Sequence, residues 1–140
     1  MSTSSSGCGR SAAHEGVKPS LQSVDFLLRL EWIAVLAAAI VGYAFAGGSW
    51  VLFLVLILAP DLAMLGYLAG PRIGAMVYNA LHILIWPAIL LAAGLYSGEA
   101  LTMQLAAIWI AHIAIDRALG YGLKLPTGFG DTHLGRIGKA

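Results

Sequence analysis

WIAHIAIDRALGYGLK, residues Trp109–Lys124, carries an apolar run of membrane-spanning character that acquires a histidine, an aspartate and an arginine just before it ends. His112 and Asp116 are four residues apart, so on a helix they project from one face about a turn from each other. Ionisable groups are costly in hydrocarbon and face a protein interior or a cavity, so their placement marks a candidate functional site.

The composition sets the class around this stretch. The 140 residues are 59% hydrophobic and 11% charged, with a mean hydropathy of +0.83, whereas soluble domains carry roughly 25% charged residues. An integral membrane protein is expected, with the lipid bilayer as its first partner. A net charge of +1 excludes a nucleic-acid partner, because counterion release needs a concentrated basic surface. Cys8 is the single cysteine, so neither an internal disulfide nor a thiolate metal cage can form.

Upstream, residues 1–24 are rich in Ser and Gly and read as a disordered tail containing Cys8, His14 and Glu15. A transmembrane domain is expected over 25–120, and a cytoplasmic tail packing near the bundle mouth over 121–140. The first span runs from about Phe26 to Ala46. A cleaved signal peptide ending at Ala44-Phe45-Ala46 is the alternative, and the long preceding region with Asp25 and Glu31 favours a retained helix. Ala38 and Gly42 could admit a close neighbour, so a homo-oligomer is compatible with these residues.

The second span, Trp50 to about Leu68, contains Pro60-Asp61, which predicts a kink with freed carbonyls near Leu56. Asp61 then either caps a broken half-helix or serves a ligand or catalytic role. Gly66, Gly70 and Gly74 recur across the next turn. On the third span, about Ile73 to Tyr96, Ala75, Asn79, His82 and Trp86 share a stripe, with a further kink at Pro87. The fourth span is Ala100–Leu119.

Four spans place both termini on one side. All eight Lys and Arg residues fall on or near that side and none in the two opposite turns, which sets both tails in the cytoplasm. Helical rise then places Asp61, His82 and His112 roughly 12–15 Å from the cytoplasmic end, with Asn79 and Asp116 somewhat shallower. One shared cavity in the cytoplasmic half of the membrane is expected.

Two imidazoles and two carboxylates, His82, His112, Asp61 and Asp116, suit zinc, iron or manganese, and would equally serve metal-free acid/base catalysis. Tyr78, Asn79, Arg117, Lys124 and His133 are supporting candidates. Arg117 and Lys124 could meet an anionic headgroup, and Asp131, Thr132 and His133 could form a lid or add a ligand. A metal-dependent or acid/base enzyme acting on a lipid-like substrate is the leading expectation. The rivals are a proton- or ion-translocating subunit, in which a polar path would continue to the far side, and a structural subunit whose polar layer only fixes the bundle.

The strings PDLAMLGYLAGP (60–71), GAMVYNALH (74–82), AHIAIDRALGYGLKLPTGF (111–129) and DTHLGRIG (131–138) resemble those of a small bacterial integral-membrane family catalogued as a domain of unknown function. The resemblance covers about Leu27 to Gly138. It implies an all-α, four-helix transmembrane bundle with the first segment retained, in the bacterial cytoplasmic (inner) membrane. It carries the polar positions named above and implies no activity.

Overall fold

The computed structural model describes residues 18–136, and the expectations for Cys8, His14 and Glu15 lie outside the described residues. Five α-helices follow in order: α1 Lys18–Phe45, α2 Trp50–Leu56, α3 Pro71–Leu81, α4 Ile85–Ser97 and α5 Ala100–Leu119. A 3-10 helix, Ala59–Ala69, stands between α2 and α3. The departure from an all-α chain is a small antiparallel hairpin in the tail, β1 Asp131–Thr132 against β2 Gly135–Arg136.

The first helix begins inside the segment 1–24 that was expected to be disordered. Pro19 is tolerated in a first turn, where its missing N–H would have no helical partner, and residues 18–24 are already helical.

Both central spans are broken, and each break traces to a proline. Pro60 cannot donate to the carbonyl of Leu56, and α2 ends there, with the Ile57 N–H returning to Phe53 at 2.9 Å. The chain then tightens into a 3-10 helix of 11 residues. Such runs rarely exceed three or four residues and mark strain or function. Pro87 likewise leaves the carbonyl of Ile83 without a helical donor. The interruption falls at 82–84, before the proline, and the Ala88 N–H to Leu84 bond restarts the helix. The stripe expected through Trp86 therefore ends at His82, and Trp86 is exposed.

Helix α5 is the axis of the molecule, packing against α1 and α4, while the 3-10 helix packs against α3. Its buried positions are mostly small: Ala106, Ala107, Ala111 and Ala114, with Ile108 and Ile113. Small side chains let helices approach closely and gain dispersion contact. At the turn before α3, Gly70 adopts φ +108°, open chiefly to glycine. It folds the 3-10 helix back on α3 so closely that a Cβ on Gly74 would collide with the Tyr67 ring.

Among the described residues, large aliphatic side chains are mostly outside, with Ile108 and Ile113 the buried ones. The interior holds alanines, Tyr43, Tyr78 and two histidines, while Val51, Leu54, Leu58, Leu62, Leu65, Leu68 and Ile89 are exposed. Two helical stretches, Trp50–Ala69 and Pro71–Ser97, are long and apolar enough to cross a membrane.

A candidate metal centre at the helix breaks

The two breaks and the end of α5 bring four side chains to one point. Asp61 comes from the first turn of the 3-10 helix, His82 from the C-terminal cap of α3, and His112 and Asp116 from α5. One potential ligand atom from each lies within 4.8 Å of the others. The imidazole Nε2 atoms of His82 and His112 are 3.1 Å apart. Asp61 Oδ1 is 3.7 Å from the first and 3.5 Å from the second. Asp116 Oδ2 is 3.6 Å from the first and 3.9 Å from the second.

Hydrogen bonds outside the cluster orient its members. His82 Nδ1 lies 2.8 Å from the carbonyl oxygen of Tyr78, which can only accept, so Nδ1 carries the proton and Nε2 presents a lone pair. The Tyr78 ring stacks on the His82 ring at 3.7 Å between centroids, and its hydroxyl donates to Asp116 Oδ2 at 2.9 Å. His82 is 1% exposed and Tyr78 equally buried, whereas the Asp61 side chain is 33% exposed. The two imidazoles are buried, Asp116 is 15% exposed and Asp61 is the most open of the four. The expectation that Asp61 caps a half-helix is not met: the cap residue of the 3-10 helix is Leu58, with no side-chain cap bond.

A broken helix must find partners for its last carbonyls, since bare ones are costly away from water. Here side chains provide them. Besides His82 at the Tyr78 carbonyl, Trp109 Nε1 donates to Leu81 at 2.8 Å and Arg117 Nη2 donates to His82 at 3.2 Å. Arg117 Nη1 also holds the carbonyl of Tyr121 at 2.7 Å, just beyond α5. Arg117 thus ties the break in the α3–α4 stretch to the root of the tail.

The tail is pinned over the site by Asn79. Its Oδ1 accepts from the Lys124 N–H at 2.7 Å, and its Nδ2 donates to the Lys124 carbonyl at 2.8 Å, as a neighbouring strand would. Lys124 is 4% exposed, with Nζ donating to the Phe129 carbonyl at 3.0 Å and lying over the rings of Phe129 and Tyr78. Burial pushes its ammonium below the usual lysine range, and Asp116 and Asp61 partly oppose that. Lys124 is a strut, not the exposed headgroup contact expected of it.

His133 also stands apart from the cluster. Its Nδ1 accepts from the Leu123 N–H at 2.8 Å, its own N–H returns to the Leu123 carbonyl at 3.0 Å, and its ring covers Gly122, where a Cβ would lie 2.7 Å from Nδ1. Thr132 pairs with Lys124 as an isolated bridge, and Asp131 accepts from Thr127 at 2.8 Å. These residues bond within the tail and supply none of the four grouped ligand atoms. Sequence reasoning missed Arg29, which α1 brings to Gly120 and Arg117 at the mouth. Its only signal was a cation placed one turn inside the first span.

The donor set fits a dication. Bonds of about 2.0–2.1 Å in a tetrahedron place neighbouring ligand atoms about 3.3 Å apart; the contacts to the two imidazoles run from 3.1 to 3.9 Å and the whole group lies within 4.8 Å, so an ion would draw its wider pairs together. Two neutral imidazoles and two carboxylates balance two positive charges. A ligating histidine that donates its other N–H to a backbone carbonyl is the usual outer-sphere arrangement, and His82 has it.

No curated protein and no solved structure matches the chain. A family model does match, over residues 25–137, and by it the chain belongs to the family described as Domain of unknown function (DUF4260).

Proposed function

We propose that this chain is a membrane-embedded enzyme in which Asp61, His82, His112 and Asp116 hold a divalent zinc, iron or manganese ion, acting on a lipid-like substrate from the cytoplasmic leaflet. The observation that carries the proposal is the convergence of those four ligand atoms within 4.8 Å, with outer hydrogen bonds that fix His82 and Asp116. When bound, the ion would supply a Lewis acid able to activate water or polarise an ester or phosphoester oxygen.

The residues around it have distinct tasks. Tyr78 holds Asp116 and stacks His82, limiting both to one orientation. Asp61, the most open member, faces the side from which a substrate would come. Beside the cluster lies an apolar cavity of about 360 Å³ lined by Leu56, Pro60, Leu81, Ile108 and Trp109, with Pro60 and Leu81 each next to a cluster residue in the chain. An acyl or isoprenoid chain suits that lining. The same cavity favours an enzyme over an ion path, because a conducting route would continue through polar groups.

In this reading α1 and α5 cross the bilayer with the two apolar stretches, giving four spans and cytoplasmic tails in a bacterial inner membrane. The girdle of exposed large apolar side chains supports it, since a water-soluble monomer rarely shows so much contiguous apolar surface. Positive residues on the side of both tails support the orientation.

The test uses purified protein in lipid nanodiscs, stripped with a chelator and reloaded with zinc, manganese or iron, against lipid esters and phosphoesters. Product release that disappears on stripping and returns with one of these ions is expected. Turnover that persists in the stripped protein would reject the metal and leave acid/base catalysis by the same side chains.

A further inference from the structure

A second cluster lies at the cytoplasmic mouth, separate from the four metal-ligand candidates. Helix α1, the end of α5 and the tail enclose a cavity of about 250 Å³, lined among others by Asp25, Arg29, Trp32, Arg117, Gly120 and His133. Gly120, at φ +90°, closes α5, and a Cβ there would lie 2.9 Å from Arg29 Nη2. The bare glycine therefore lets the Arg29 guanidinium approach the end of α5.

The donors in this cavity are in excess. Among the described residues, Arg29 has no hydrogen bond or ion pair. Arg117 commits Nη1 and Nη2 to the carbonyls of Tyr121 and His82, which fixes its plane and leaves further N–H groups of its five. His133 accepts at Nδ1, so in the neutral ring the proton is on Nε2, a donor. Asp25, one turn before Arg29, contributes one negative charge against two guanidinium groups. A cation helps a helix C-terminus, yet one already sits there in Arg117, so a second from another helix needs a further reason.

We infer that this cavity binds a phosphate-class oxyanion, with Arg29 as its principal ligand and Arg117 and His133 completing the donor set. Guanidinium forks match phosphate oxygens in pairs, which an ammonium cannot do. The cavity lies at the headgroup depth of the cytoplasmic leaflet in the proposed topology, so the oxyanion is carried either by a phospholipid or by free phosphate. The site needs no metal: it rests on the membrane placement only for the lipid source, and removing Arg29 leaves the metal content unchanged.

Calorimetry on the full chain in phosphatidylcholine nanodiscs separates the sources, with short-chain phosphatidate in one arm and inorganic phosphate in the other. Saturable binding weakened about tenfold or more by Arg29→Gln, and unaffected by Arg72→Gln, supports the site. Binding of phosphatidate alone assigns a headgroup, and equal binding of phosphate assigns a soluble oxyanion. Arg29→Lys keeps charge and bulk but loses the fork, so an intermediate loss is expected even if Arg29→Gln fails to fold. Absence of binding in both arms, or binding that neither Arg29 variant weakens, would overturn the inference.

Discussion

Replacing His112 with alanine is expected to weaken binding of a divalent ion by at least about a hundredfold. Loss of an outer-sphere partner alone typically costs 10–100-fold, and His112 is a direct ligand candidate, 3.1 Å from His82 and 3.5 Å from Asp61. Competition with a chelating dye measures the affinity, and a thermal melt confirms that the variant folds. His133→Ala is the contrasting variant, because the His133 ring serves the Leu123 N–H and lies outside the cluster. Equal losses in the two variants would mean that the ion sits elsewhere.

The second large effect concerns Asn79, which touches no cluster residue through its side-chain amide. Asn79→Ala leaves the N–H and the carbonyl of a buried Lys124 without their partners. Each such orphaned group costs about 1–3 kcal/mol, so the two together are expected to cost about 2–6 kcal/mol, with release of the tail. Limited trypsin digestion reads that release directly: Lys124 is protected in the parent chain and becomes a cleavage site in the variant. Unchanged protection would show that the hairpin and the Lys124 contacts hold the tail by themselves.

Much of the geometry was legible in the residues because helices fix depth. Counting rise along the spans put Asp61, His82 and His112 in one layer, and the structure joins them with Asp116 in one group. The helix breaks were legible only in part. Pro60 and Pro87 announce missing donors, but their result depends on what stands opposite the freed carbonyls. Trp109 and Arg117 stabilise an interruption at His82, which no local pattern on the α3–α4 stretch reveals.

The tail was the least legible part. Its glycines allow many reversals, and the register that presents Lys124 to Asn79 is set by a contact across 45 residues of chain. Arg29 was hidden for a similar reason: one turn into an apolar span, a cation reads as a side chain reaching for water. Only the close approach of α1 to Gly120 shows where its guanidinium goes.

The most direct measurement is the metal-to-protein ratio of the detergent-purified chain, determined by mass spectrometry before and after reloading with zinc, manganese or iron. The arrangement of Asp61, His82, His112 and Asp116 predicts close to one divalent ion per chain, lost in both His82→Ala and His112→Ala. A folded preparation that takes up no ion after reloading, or that keeps a full complement in both variants, would contradict it.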